Sequence, residues 1–186
     1  MRILLAALAG AVAMFLWTGV AHMATPLGQV GFSQMPNEAS VIDPMGVSIG
    51  NKPGLYIFPW VDPNDPKMME KYAELTKTSP SGMLLYRPAP DMMGADMTPM
   101  LIKEFIKQFV QALIAAWIVS MIAASFIMRT GIVTAIGVSA AIATNISYWN
   151  WYGFPFDYTM AQLFIEIVSA IVAGLAISAV LGRKTA

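Results

Sequence analysis

At 186 residues, 57% apolar and 12% charged, the chain is more hydrophobic than an ordinary soluble domain. With no cysteine and one histidine, it cannot build a disulfide, an iron–sulfur cluster, a Cys/His zinc site or a paired-histidine haem from its own ligands. Its net charge is zero and it has no basic stripe, so nucleic acid is excluded as a partner.

Residues 1–23 open with an uncharged run from Ile3 to Met23, long enough to cross a hydrocarbon core of about 30 Å. Arg2, an apolar core to Trp17 and the small residues Gly19, Val20 and Ala21 also fit a secretory signal. The length of the run favours an uncleaved, signal-anchor-like helix.

Residues 24–100 carry 11 of the 12 prolines and most of the charge, as a soluble, turn-rich excursion would. Asp65 and Pro66 read as a helix start, and Met68, Tyr72 and Leu75 continue at helical spacing to about Lys77. Gly54–Trp60 and Gly82–Pro88 are β-prone and end in proline, which predicts a strand, helix, strand core. So small a unit is marginal alone, so Leu55, Ile57, Phe58 and Trp60 are expected to meet another surface.

Residues 101–128 are expected to hold a wet-faced entry, marked by Lys103, Lys107 and Gln111, and then a second span from Phe109 to Met128. Residues 129–152 hold the third span, from Ile132 to about Tyr152. Residues 153–186 hold an outer turn, the fourth span from Met160 to Leu181 and a short tail. The predicted fold is therefore an all-α membrane protein, a four-transmembrane-helix bundle with a small α+β extramembrane segment between helices 1 and 2.

Charge orients this topology. Arg2, Arg129, Arg183 and Lys184 fall on one side without an acidic companion, while the other side holds the remaining seven cations and all 11 acidic residues, a net of −4. The positive side is read as cytoplasmic. The expected location is a bacterial inner membrane, crossed several times, with both termini cytoplasmic and residues 24–100 periplasmic.

Three groups of residues stand out. Glu166 lies on the order of 10 Å inside the fourth span, where an ionisable side chain is costly and by default functional. Asn145, Gln162 and Gln111 should reach a similar depth, with Lys107 as the cation of the cluster. Small residues recur every fourth position in the fourth span, through Ala170, Gly174 and Ser178. The third span answers with two rows, one of Gly131, Ala135, Ser139 and Ala143 and one of Gly137, Ala141 and Asn145, and both permit close helix crossing.

The third group is aromatic. Tyr148, Trp149, Trp151 and Tyr152 close the third span, Phe154 and Phe156 flank the turn, and Tyr158 opens the fourth. Such residues gather at the headgroup level, and the same surface could contact a pigment, a quinone or a lipid tail. Trp60 is a further candidate for partner contact.

Other motifs read more plainly. The methionines of Asp91–Met100 resemble soft copper ligands but lack Cys or His support, His22 reads as a solvated interfacial residue, and Asp62–Asp65 as a proline turn. No phosphate loop, serine elbow or zinc-protease helix is present, so no enzyme and no cofactor are expected. The function expected is that of a non-catalytic accessory or scaffolding subunit of a larger membrane assembly, with the lipid bilayer and other membrane subunits as partners. A respiratory or photosynthetic complex is a candidate host, since such assemblies collect cofactor-free subunits. The competing expectation is a small homo-oligomeric transporter or channel that moves protons or cations through Glu166.

Overall fold

Three helices in the computed structural model are long and apolar enough to cross a membrane: α1 (Arg2–Met23), α5 (Phe126–Tyr152) and α6 (Phe156–Leu181). The structure describes residues 1–89 and 96–182. It divides into two units, residues 1–32 with 96–186, and residues 33–95.

The membrane unit adds a short 3₁₀ turn, Pro26–Gln29, and α4 (Thr98–Ser120). Asp96 accepts the Thr98 amide at 2.9 Å and Pro99 sits in the first turn, so this helix begins where residues suited to a helix start cluster. It stops at Ser120, short of the Met128 expected from the apolar run. Ser125 accepts the Met128 amide at 3.2 Å as the N-cap of α5, so Phe126–Met128 belong to the next helix, and residues 121–125 form the turn. The third and fourth apolar helices likewise begin earlier than expected, at Phe126 and Phe156. Only Phe109–Ser120 of α4 is free of charge and of its two charged turns, about 12 residues or roughly 18 Å. Three spans are thus found where four were expected.

The helices pack in the order α4, α1, α6, α5, so the first and last helices form the central pair and consecutive α4 and α5 touch only slightly. Neighbours run antiparallel: Gly10 of α1 lies against Ile177 of α6 and Ala112 of α4, while Trp17 reaches Ile165 and Thr18 reaches Gln108. The core is built mostly from alanine, with Ala6, Ala7 and Ala11 of α1 against Ala112, Ala115 and Ala116 of α4, and Ala173 and Ile177 of α6. Between apolar helices in lipid there is little hydrophobic gain, and close backbone approach supplies the contact energy.

The α5–α6 seam is the closest. A Cβ at Gly137 would stand 2.3 Å from the Ala170 Cβ, and one at Gly174 would stand 2.9 Å from the Thr130 carbonyl oxygen. Thr130 also donates to the Ser178 hydroxyl at 3.1 Å. Of the two predicted rows on α5, Gly137, Ala141 and Asn145 meet α6. The other row, Gly131, Ala135, Ser139 and Ala143, is exposed, because a row displaced by two residues turns about 200° around a helix.

The second unit contains α2 (Ala39–Ile49), β1 (Gly54–Phe58), α3 (Met68–Leu75) and β2 (Gly82–Tyr86). Strands form in the two proline-ended runs expected to be β, and they pair antiparallel, Leu55 opposite Leu85 and Ile57 opposite Met83. Tyr86 donates its hydroxyl to the Gly50 carbonyl at 2.8 Å, and Tyr56 to that of Lys52 at 2.9 Å, which ties the hairpin to the loop before it. Asp65 accepts the Lys67 amide at 2.8 Å and pairs with Lys71, fixing the entry to α3. Asp62 accepts from Asn64 in the turn read as Asp62–Asp65. None of the described residues 33–89 is buried.

Candidate functional site

The polar residues of the membrane unit fall into two seams rather than one cluster. In the α5–α6 seam, Asn145 is 6% exposed and donates its amide to Glu166 Oε2 at 3.0 Å and to the Ala141 carbonyl at 2.9 Å. Glu166 is half-buried, ten residues into α6 and therefore about 15 Å along its axis. Of the five residues expected in one cluster, Glu166 and Asn145 are thus in direct contact. Gln162, one turn earlier, is half-buried and makes no hydrogen bond among the described residues.

The α1–α4 seam holds the second group. Gln108 is 1% exposed and donates to Thr18 Oγ1 at 3.1 Å and to Glu104 Oε1 at 2.8 Å, while its own Oε1 has no partner among the described residues. Glu104 also accepts from Lys107 at 2.7 Å. The cation placed with Glu166 by sequence is therefore bonded to its neighbour on α4.

Gln111 is exposed on α4. The buried face of that helix follows Gln108, Ala112, Ala115 and Val119, and at 100° per residue Gln111 falls to one side of it. Gln108 was the residue missed. Its position on the same stripe as Ala112 and Ala115 is the signal that distinguishes it from Gln111.

Helix α1 links the seams through adjacent residues. Trp17 donates its indole N–H to the Ile165 carbonyl at 2.9 Å and meets Phe164 edge to face, while Thr18 faces Gln108. At the opposite end, Arg129 is 1% exposed, and its guanidinium donates to the Gly182 carbonyl. A cation there complements the partial negative charge at the C-terminus of α6.

The aromatic turn is a connected surface. Gly153, with φ +71°, closes α5 in the left-handed conformation that glycine tolerates best. Phe154 stacks on Tyr148 at 5.3 Å between ring centres and leans on Tyr158 at 5.3 Å, and Tyr158 meets Phe32 edge to face. Tyr148 also contacts Tyr152, and Trp149 contacts Phe156. Trp151 is 78% exposed, with its ring outside this network. In the second unit, Trp60 is 66% exposed.

No family model, curated protein or solved structure matches the chain. Function must be read from its own chemistry.

Among the described residues no three His, Cys, Asp or Glu side chains gather as metal ligands would. His22 is exposed at the end of α1. Of the methionine run read against copper, residues 91–95 lie outside the described residues, and Asp96 accepts the Thr98 amide just before α4. Within each seam a polar pair bonds across the helices, Asn145 to Glu166 and Gln108 to Thr18. Among the described residues Glu166 is the single carboxyl set within a spanning helix away from its ends.

Proposed function

We propose that the chain is a non-catalytic accessory or scaffolding subunit of a larger bacterial inner-membrane assembly. The observation that carries this reading is the open face of the β1–β2 hairpin. Leu55, Ile57 and Leu85 share that face and are 59%, 51% and 67% exposed, in a unit with no buried residue among those described. Side chains of this kind on so thin a unit suit contact with another protein. The outward row of Gly131, Ala135, Ser139 and Ala143 on α5 adds a second surface, on which a partner helix could approach closely.

In this reading α4 is the fourth span, with Lys103, Glu104 and Lys107 at the headgroup level. Antiparallel packing gathers Arg2, Arg129 and the end of α6 at one side, which supports cytoplasmic termini and a periplasmic second unit. The aromatic turn then lies at the outer interface, where it meets lipid and, in an energy-converting host, a pigment or quinone.

The test is gentle extraction of the native membrane followed by mass analysis of the intact particle. Copurification with other chains at fixed stoichiometry is expected, and a homo-oligomer of this chain alone would overturn the subunit reading. The Asn145–Glu166 hydrogen bond inside two spanning helices favours a second reading, a proton- or cation-linked transporter. Glu166→Gln separates the two, because it keeps size and hydrogen bonding but removes the titrating group. A structural role leaves assembly and host activity nearly unchanged. Loss of an ion flux in reconstituted vesicles, with assembly intact, would establish the transporter instead.

A further inference from the structure

We propose that α2 is an in-plane membrane anchor, whose Val41, Ile42, Met45 and Ile49 face enters the lipid headgroup boundary on the outer side. At 100° per residue these four side chains fall within an arc of about 100°, with Ser48 at its edge beside Val41 and Ser40 and Asp43 on the far side. Val47, 87% exposed, is the apolar residue on the polar side. No residue of α2 is buried: Val41 and Ile42 are 37% and 48% exposed, Met45 and Ile49 are half-buried, and within its own unit neither strand nor α3 packs along it. An 11-residue helix is too short to span but suits a position parallel to the surface.

The proline inside this helix fits the same orientation. Pro44 lacks the amide that would bond the Ser40 carbonyl, so that carbonyl needs another donor. Ser40 projects about 150° from the centre of the apolar arc, where water can supply it. Turned into hydrocarbon, the same group would go unsatisfied.

The length of the chain commits the occupant to lipid. Phe32 is fixed against Tyr158 of the aromatic turn, with ring centres 5.5 Å apart. From there to Ala39 the linker is residues 33–38, whose extended reach is roughly 20 Å. Along the chain, α2 therefore starts within that reach of Phe32. Four apolar side chains bind a bilayer only weakly by themselves, but a short tether makes that binding intramolecular and raises the effective concentration to about the millimolar range. The helix brings an acidic Asp43 and no Lys or Arg, so the attraction is apolar, and anionic lipid does not strengthen it.

The experiment uses the full chain, which has no cysteine to remove. Single variants Ile42→Cys, Met45→Cys and Ser40→Cys each carry an environment-sensitive fluorophore in nanodiscs of zwitterionic lipid, with and without a nitroxide near the headgroup. Probes at positions 42 and 45 should emit to the blue and be quenched by the nitroxide severalfold more than the probe at 40. Adding Val41→Asp should return the probe at 45 to water.

Equal water exposure at all three positions would overturn the assignment. So would a blue shift at 42 and 45 without nitroxide quenching, since that marks protein contact. Because the purified chain is examined without any partner, the outcome stands apart from whether the hairpin face binds another subunit.

Discussion

Gly137→Ala should separate α5 from α6, whereas Gly131→Ala on the same helix should not. At Gly137 the added Cβ would lie 2.3 Å from the Ala170 Cβ, and carbon atoms settle at about 3.5–4.0 Å. The helices must then part locally by roughly 1.2–1.7 Å. That displacement threatens the Asn145–Glu166 bond at 3.0 Å on one side and the Thr130–Ser178 bond at 3.1 Å on the other, because either bond lengthened by 1 Å is no longer a hydrogen bond. Overpacking of this kind costs about 1–3 kcal/mol, and each lost interhelical bond on the order of 0.6 kcal/mol more.

At Gly131 nothing lies within 4 Å of the added atom. The gain in helix propensity, up to about 1 kcal/mol, is common to both variants and cancels in the comparison. Unfolding in dodecyl maltoside titrated with dodecyl sulfate, followed by tryptophan fluorescence, reads the difference. The Gly137 variant should unfold at clearly lower detergent fraction than the Gly131 variant, and coincident midpoints would refute the packing argument. Gly174→Leu and Leu175→Ala extend the comparison. Gly174 faces Thr130, and Leu175 is 44% exposed, so the glycine variant should be much the more damaging.

Asn64→Cys and Met121→Cys test orientation. An impermeant thiol reagent on intact spheroplasts should label position 64 and spare position 121, and the reverse pattern would invert the topology. Gln108→Met should change stability by less than about 1.5 kcal/mol in the same detergent titration, because Thr18 and Glu104 keep other partners and the unpartnered Gln108 Oε1 is removed. A loss well beyond that would mean the glutamine holds the α1–α4 seam.

Asp65 is held below its ordinary value of 3.8 by the hydrogen bond from Lys71 and then by that from the Lys67 amide. Its contribution to the α3 entry is therefore present above the ordinary value and lost as pH falls through the depressed one. Amide protection in α3, taken relative to the intrinsic exchange rate at each pH, should fall on acidification in the wild type and stay nearly flat over that range in Asp65→Asn. Parallel profiles would show that this carboxylate does not hold the helix start.

Runs of apolar residues marked three spanning helices because hydrocarbon imposes a length that composition alone reveals. The hairpin was legible for a comparable reason, since Gly54–Phe58 and Gly82–Tyr86 each combine β-prone side chains with a following proline. The end of α4 was hidden because residues 121–125 contain neither glycine nor proline, and only the Ser125 cap divides two continuous apolar runs. Helix α2 escaped notice because Pro44 and Gly46 read as breakers, although a proline can stand where its missing bond faces water.

The candidate site shows where such reading stops. Glu166 and Asn145, expected within one larger cluster, meet in the structure, and both count their depth from the same short turn. Gln111 was preferred to Gln108 because depth does not report which face of a helix is turned inward. The alanine stripe of α1, Ala6, Ala7 and Ala11, was read only as apolar length, while the structure uses it as the centre of the core.

That central position has a consequence in time. Helix α1 is made well before α6, which must cover it, because α1 packs on α6 as well as on α4. At translation rates of about 5–20 residues per second, the interval between their synthesis is roughly 8–30 s. During it α4 can dock on α1, but the surface around Gly10 that later receives Ile177 stays bare. Small side chains there form a shallow groove to which other helices in the membrane have access. The seam between α1 and α6 is thus open to competition until α6 arrives, and a chaperone or partner that holds α1 in that interval would govern its yield.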